Sequence, residues 1–490
     1  MLDKLEQLVK EAQRAADVIR NHKGMIRAIS HIDCDGVCSA AIIVRALAKK
    51  QKTFHFSFAR YLNEATVNNL AEEAKQGRWK LLVFTDLGSG AAASLAPILE
   101  HAQVIIADHH MIATKDGSEA TENSDFYTHP NLINVNPLAF GLKEDISGSG
   151  MTYILSRALD PENVISGDLA IIGAIGDAQT GSIGDKWQVL GLNQEILKDA
   201  ETAGSLRVTK SIRLWGRFSR PIHKALELSI DPYIPGITGN ESAAIQFLTE
   251  LGIPVKINGN WRSLADLTKE EQQRLVSAII IERLRHNAPN PTQVFGDVYE
   301  LPHQTGEFRD AQEFATIANA CGKSLQGYLA VGACLGDEDK IERVRETVSG
   351  YKKQIGTMVS WVFKNKDNPD VVRLTDSAAF VFGGDKISEE LISTVSSIVQ
   401  RSGFLNRKIL IGFGNTPNGE VKISSRADDS VNIDLNQMMR DCVKEVGGNG
   451  GGHLHAAGGQ IPSDKAERFV DLINQYLSGL NPVVEEKPKN

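Results

Sequence analysis

Cysteine is scarce and unpatterned: the five present (Cys34, Cys38, Cys321, Cys334 and Cys442) form no CxxC pair and no even set for a disulfide framework. They read as buried, reduced thiols. Long apolar runs are missing too; Leu169–Ala174 and Leu410–Phe413 are among the longest and fall far short of a bilayer span. From Met1 to Arg20 the pattern is not that of a secretory leader, because Leu2, Leu5, Leu8 and Ala12 alternate with charges as in an amphipathic helix. No membrane contact is expected, and the expected location is cytoplasmic. Positive charge is also short: 53 Lys and Arg stand against 61 Asp and Glu, a formal net charge of −8. That balance excludes a simple electrostatic coat for nucleic acid. It does not exclude a nuclease, because metal-binding carboxylates inflate the acidic count and a local basic patch can still steer a strand. No internal repeat is present.

What is there is a globular composition, 42% apolar and 23% charged, over 490 residues, enough for two to four domains. From Met25 onward a short apolar run, a loop and an amphipathic helix recur. Met25–Ser30, Phe54–Phe58, Leu81–Thr85, Val104–Ala107 and Leu132–Val135 are expected strands, Cys38–Lys50 and Gly150–Leu159 expected helices, and the very apolar Asp168–Gly176 a further strand. Short buried runs alternating with helices predict a parallel sheet covered on both faces, with ligands at the carboxyl ends of its strands. Residues 191–310 lose this rhythm and are expected to be an inserted, mostly helical module, with Lys269–Arg285 its clearest helix. Gly327–Gly336 is expected as another buried strand and Asp337–Lys364 as a long connecting helix. A second α/β unit follows, with strands Ala378–Gly383, Lys408–Phe413 and Glu420–Ser424, helices Glu389–Ser402 and Asn436–Val446, and a closing helix Ser463–Leu480. The expected division is 1–190, 191–310, 311–365, 366–481 and a disordered tail at 482–490.

The expected strands end in chemistry. His31-Ile-Asp33-Cys-Asp35-Gly36 follows the first, Asp86-Leu-Gly-Ser-Gly the third, Asp108-His109-His110 the fourth, and Asp177 the Asp168–Gly176 run. Cys34, between two acids, is expected to point the other way if that strand end is extended. Four carboxylates packed together raise one another's pKa values and destabilise the fold unless cations join them. No Lys or Arg cluster adjoins them in sequence, and two divalent cations would balance the charge. Carboxylates with imidazoles and no required thiolate suit Mn²⁺ ahead of Mg²⁺. Two such ions about 3.5–4 Å apart activate water and hold the attacking and leaving oxygens of an in-line phosphoryl displacement.

These motifs resemble the DHH family of phosphoesterases: HIDCDG its first motif, FTDLGSG the second, ADHH the motif that names it, and IIGAIGD the fourth. The resemblance implies one metal held by His31, Asp33 and Asp86, and another by Asp35, Asp86, His109 and Asp177, with Asp86 bridging. It further implies that Asp108 orients His109 and that His110 faces the scissile phosphate. Asn134-Val-Asn136-Pro137 and Ser147-Gly-Ser149-Gly150 look like RecJ-type members; the latter's backbone amides serve either a phosphate or plain helix capping.

Near the carboxyl end, Gly447–Gly459 surrounds His453 with glycines, either a flexible connection or a backbone cradle for an anion. It looks like the GGGH-x-x-AAG motif of the DHH-associated domain, which implies substrate binding by Gly450, Gly451, Gly452 and His453, with Arg426 as a phosphate-binding arginine. The acid-free stretch Arg207–Lys224 interleaves cations with Trp215 and Phe218. Arg213, Trp215, Arg217 and Arg220 are candidate nucleic-acid contacts, the alternative being a surface turn over a buried aromatic pair. PYIPGITGNESAAIQFLTELGI and FATIANACGKSLQGYLAVGACLGD look like archaeal RecJ-like proteins, including the GINS-associated nuclease. The fold class so implied is a parallel-sheet DHH catalytic domain with a mostly helical insertion and an α/β DHH-associated domain. The insertion resembles the middle domain of the eukaryotic replicative-helicase cell-division-cycle subunit, with the GINS replication complex as a candidate partner. The implied activity is a metal-dependent exonuclease on single-stranded DNA or RNA that releases mononucleotides in replication or repair. Sugar and polarity stay open. Competing expectations are a nano-RNase, a family II pyrophosphatase (whose first motif spaces its residues more widely) and a non-catalytic replication scaffold.

Overall fold

A computed structural model describes residues 2–115, 125–183, 186–229, 232–286, 288, 290–428, 430–452 and 454–479 of the chain. It divides into two units, Met1–Val348 and Ser349–Asn490. The tail at 482–490 lies outside the described residues.

In the first unit, α1 (Leu2–Asn21) buries Leu8, Ala12, Ala15 and Ile19 along one stripe. There follow β1 (Ile26–Ser30), α2 (Cys34–Lys49), β2 (Phe54–Phe58), α3 (Glu64–Lys75), β3 (Leu81–Thr85), the short α4 (Ala96–Leu99), β4 (Gln103–Ala107) and β5 (Leu132–Val135). The five strands form one sheet in the order β2-β1-β3-β4-β5, every pair parallel. The chain runs outward from β1 to β2, then returns to lay β3 on the other side of β1. A crevice opens at such a reversal, outside the carboxyl ends of β1 and β3.

Next come α5 (Gly148–Leu159) and α6 (Gly167–Gly176). The expected strand at Asp168–Gly176 is therefore a helix. Its residues are apolar all round because α6 packs against α2, α5, α7 and α11 at once, so no polar face remains to betray the helical period. The hairpin β6 (Thr180–Ile183) and β7 (Lys186–Val189) leads to α7 (Asn193–Thr202). Then β8 (Arg207–Ile212) pairs antiparallel with the distant β11 (Phe295–Glu300). Between these strands lie α8 (Ile222–Glu227), α9 (Glu241–Glu250), the pair β9 (Lys256–Ile257) and β10 (Asn260–Trp261), and α10 (Lys269–Arg285). They share a core of their own that includes Leu226, Ile234, Leu248, Leu275 and Ile279. Thr268 and Glu271 cap α10 reciprocally, which fixes its start at the position expected from the sequence. After β11 come α11 (Ala311–Lys323) and α12 (Gly327–Cys334). The expected strand at Gly327–Gly336 is thus also a helix, packed on α2 and α11 and apolar for the same reason. Helix α13 (Glu338–Lys364) runs across the division between the units.

The second unit holds β12 (Val372–Leu374), β13 (Ala379–Phe382), α14 (Ile392–Arg401), β14 (Ile409–Asn415), β15 (Glu420–Ala427), α15 (Leu435–Glu445), β16 (Asn449–Gly452), β17 (Ala456–Pro462) and α16 (Ala466–Gly479). Its six-stranded sheet has the order β12-β13-β14-β15-β17-β16, with only β13 and β14 parallel. Phe380, Ile411, Ile423, Met438, Met439 and Phe469 are in its core. Among the described residues, no helix is long and apolar enough to cross a membrane.

Candidate metal centre

The first motif is a helix start. Asp33 caps α2, its Oδ1 accepting the Gly36 N–H at 3.0 Å, while Oδ2 lies 3.0 Å from His31 Nδ1. Asp35, in the first turn, is held by the Gly148 and Ser149 N–H groups at 2.6 and 3.0 Å. The amides of Gly148 and Ser149 therefore serve Asp35, that of Gly150 the capping Ser147 hydroxyl and that of Ser147 the Asn193 Oδ1; they are not open to a phosphate. Cys34 is the first residue of α2 rather than a strand end, and its thiol packs on Ile172 and Gly176. Asp86 follows β3 with φ +54°, a left-handed turn that few non-glycine residues adopt. Asp177 is the residue that ends α6.

These residues converge. Asp86 Oδ2 lies 3.7 Å from His31 Nδ1, and Asp86 Oδ1 lies 3.6 Å from His109 Nε2. His109 Nε2 is also 3.7 Å from Asp177 Oδ2 and 3.9 Å from Asp35 Oδ2. One oxygen of Asp86 thus faces His31 and Asp33, and the other faces His109, the ring that Asp35 and Asp177 also adjoin. Asp86 is 1% exposed, yet neither of its oxygens has a hydrogen-bond partner, and neither do His31 Nδ1 and His109 Nε2. Buried acceptors without donors are costly. Two divalent cations, one on each side of Asp86, fit that deficit and the oxygen and nitrogen donor set.

The protonation states carry the same imprint. Burial, with the charges of Asp86 and Asp177, pushes the Asp35 carboxyl well above its usual range, and burial raises Asp177. Burial works to lower both His31 and His109, but neighbouring carboxylates win: Asp33 and Asp86 carry His31 well above its ordinary value, and Asp86, Asp177 and Asp35 carry His109 to about 10. A metal-free cluster of this kind holds protons where cations would otherwise sit. Burial opposes the charge of Asp33, but His31, the Gly36 N–H and then Lys323, distant in sequence, hold its carboxyl well below the usual range.

Asp108 holds His109 by its backbone and not by its ring. It accepts the ring N–H of His110 at 2.7 Å, together with the backbone N–H groups of Ser89 and His109 at 2.9 and 2.8 Å. Burial opposes its charge, yet His110 and these donors hold Asp108 well below the usual carboxylate range, and His110 rises to about 9. Asn136 donates to Ser89 Oγ and to the His110 carbonyl, both at 2.9 Å, so the Asn-Pro segment braces the DHH turn. The residue beside His109 is Gln179. Its Nε2 lies 3.4 Å from His109 Nδ1 and donates to Asp177 Oδ2 at 2.8 Å and to the Ile146 carbonyl at 3.2 Å. Its Oε1 accepts from Asn193 at 2.8 Å. The sequence points to neither amide; Gln179 signals itself only by standing two residues after Asp177. Close packing explains two glycines: a Cβ on Gly148 would strike Asp86, and one on Gly173 would strike Ser149 and Asp35.

In the second unit, Arg426 lies on β15 with its guanidinium donating to Ser397 Oγ at 2.7 Å and to the Ser425 carbonyl at 2.7 Å. Longer bonds reach the carbonyls of Ser393 and Ala457, so among the described residues its hydrogen-bond acceptors are neutral. Burial, and then the charge of Arg401, lower its pKa to about 10. A desolvated cation with only neutral acceptors gains strongly from an anion. Gly450, Gly451 and Gly452 form the edge strand β16, paired with Gly459, Gly458 and Ala457, rather than a flexible loop. The Gly452 N–H is already taken by Asn436 at 2.8 Å. His453 lies outside the described residues.

The basic stretch divides. Arg213 donates to the Gln293 carbonyl at 2.8 Å and stacks on Trp187. Arg217 is buried, bonded to Ser211 at 2.5 Å and 3.7 Å from Glu300, so it braces the fold and is not a surface contact for a strand. Arg220 lies over Trp215, 4.6 Å from its ring centre.

Comparison with known proteins matches residues 25–176 to the DHH family, N-terminal domain, 214–293 to the DHH-CID domain, and 378–479 to the DHHA1 domain. An uncharacterized protein of Methanocaldococcus jannaschii is 29% identical over 483 residues, 97% of this chain and 99% of its own length. Among solved structures, RecJ in complex with Mn²⁺ from Thermus thermophilus aligns over 96% of this chain with TM-score 0.57 and 16% identity; this chain spans 55% of its length. CDC45 from Entamoeba histolytica aligns over 96% of this chain and 99% of its own, with TM-score 0.63 and 10% identity.

Proposed function

This chain is a DHH-family protein of RecJ-like fold, and from that premise we propose that it is a two-metal phosphodiesterase which shortens single-stranded DNA or RNA from an end, releasing mononucleotides. The observation that carries the reading is Asp86, a buried carboxylate whose two unpartnered oxygens face two separate acid–imidazole groups. His31, Asp33 and Asp86 would hold one divalent cation, Mn²⁺ ahead of Mg²⁺. Asp35, Asp86, His109 and Asp177 would hold the other. Such a pair supplies an acidified water and charge stabilisation for the departing oxygen.

The chain's own groups do the rest. His110, half exposed and held by Asp108 in a charged state, presents a ring N–H to a phosphate oxygen. Arg426, with Gly450, Gly451, Gly452 and His453, would contribute substrate binding, the arginine by taking a phosphate. Replication or repair is the setting this reading favours, with GINS as a candidate partner by way of the insertion. A scaffold without activity is the second reading, favoured by the CDC45-like fold. Every ligand position nevertheless keeps a competent side chain. Incubating end-labelled single strands with the chain and Mn²⁺ separates the two: mononucleotides appear with wild type and are lost at least 1,000-fold, roughly the contribution of an essential catalytic group, with Asp86→Ala. No turnover with either metal, or an unchanged rate in Asp86→Ala, overturns the enzyme reading.

A further inference from the structure

Between the loop that follows β8 and the segment that follows β10, the insertion opens a cavity of about 650 Å³. Four guanidinium groups line it: Arg217, Arg220, Arg262 and Arg309. The acceptors around them are too few. Glu300 serves both Arg217 at 3.7 Å and Arg309 at 3.4 Å. Arg262 is taken up by Glu271, and the carboxylate of Asp266 by the N–H and O–H of Ser263. The Nε–H groups of Arg217, Arg262 and Arg309 have no acceptor either, but they are buried behind the lining and brace the fold. The lining of the cavity carries more positive than negative groups, the reverse of the metal centre.

Arg220 is the charge left over. Among the described residues its guanidinium forms no ion pair with a carboxylate; it stacks on Trp215, and its stem runs along Gly216, where a Cβ would come within 3.0 Å of it. A cation held in place this way loses little side-chain freedom on binding. At the rim stands Trp261, half exposed, with Lys256 Nζ 3.9 Å from its ring centre. A fixed arginine, a lining with more guanidinium groups than carboxylates and an aromatic rim suit a nucleotide phosphate.

We propose that this cavity is a second phosphate-binding site, in the insertion, which holds a nucleotide phosphate through Arg220. The proposal rests on the reading of nucleic acid as substrate, and the phosphate can belong to the strand or to a released mononucleotide. The test uses the full chain with Ca²⁺ in place of Mn²⁺. Fluorescence anisotropy measures a labelled single-stranded 20-mer, and calorimetry measures AMP. Arg220→Gln keeps the stem that packs on Gly216, Arg220→Glu reverses the charge, and Lys269→Glu, exposed on α10, controls for the general field. A strand site predicts about 10-fold weaker 20-mer binding in both Arg220 variants, with the slope of log K against log salt reduced by about one. A mononucleotide site predicts loss of AMP heat in both, with strand binding unchanged. Either result supports the proposal. Wild-type binding of both ligands by Arg220→Glu, or equal weakening in Lys269→Glu, overturns it. A chain that binds through Arg220 yet never hydrolyses a strand would instead refute the enzyme reading alone.

Discussion

A buried carboxylate such as Asp86, with neither oxygen hydrogen-bonded, calls for something positive facing both. Its partners are legible in the sequence because each follows an apolar run, and strand ends gather at one edge of a parallel sheet. What holds those partners is not legible. Gln179 and Asn193 are ordinary polar residues until the fold brings the amide of one against Asp177 and the amide of the other behind it. Asp108 holds the ring of His110 and not, as expected, that of His109, since adjacent histidines cannot be told apart until the turn between them is seen. Residues that orient a metal ligand commonly carry 10–100-fold in metal affinity. Gln179→Leu should therefore weaken Mn²⁺ binding by about that factor, measured by calorimetry, while leaving the metal-free melting temperature within about 2 °C. Unchanged affinity would reduce Gln179 to a packing residue.

At the scale of elements, β1 to β5 and the long helices α10 and α13 announce themselves by length and period. Helices α6 and α12 do not, because each is apolar almost throughout, and a short apolar run without a polar face fits a strand equally well. The glycine string misleads in the other direction, since β16 lies at the sheet edge and carries almost no side chains to mark a strand. Helix α11 poses a different question through Glu313, which is fully buried. Its Oε2 accepts from Ser219 at 2.5 Å and its Oε1 has no partner. Burial, opposed by the Ser219 hydroxyl and reinforced by the Asp310 charge, raises its pKa from 4.5 to about 7. An acid whose folded pKa is raised stabilises the fold in its neutral form, fully below pH 4.5. That stability is lost as pH climbs through about 7. The step amounts to about 3 kcal/mol. Asp310, itself raised to about 6 by burial, adds a smaller step in the same direction. Melting curves should fall between pH 5 and pH 8 in wild type and fall markedly less in Glu313→Gln, which stays neutral throughout. Equal slopes would mean that Glu313 is solvated in solution.

For the whole molecule, the strand order β2-β1-β3-β4-β5 explains why motifs from residues 31 to 177 form one centre: β1 and β3 flank the reversal, and β4 and α6 deliver His109 and Asp177 beside it. Net charge is little guide to this division of labour. The acidic surplus gathers in part at the metal centre, while arginines are drawn into the insertion and, in the second unit, stand at Arg426. The alternation of runs and helices makes the two α/β halves legible. The insertion is harder to read, because its ribbon joins β8 to a strand more than eighty residues away and no local pattern records that pairing. If the buried acids need cations, metal binding must also appear as stability of the folded chain. At about 100 times its Kd, a ligand that binds only the folded state adds about 2.7 kcal/mol. Wild-type protein stripped with chelator should therefore melt several degrees higher when Mn²⁺ is restored. Asp86→Asn, which keeps the shape but weakens the shared ligand, should lose most of that increment while still folding to the same circular dichroism spectrum. An undiminished Mn²⁺ increment in Asp86→Asn would show that the ions bind elsewhere, and the paired-cation account of this centre would fall with it.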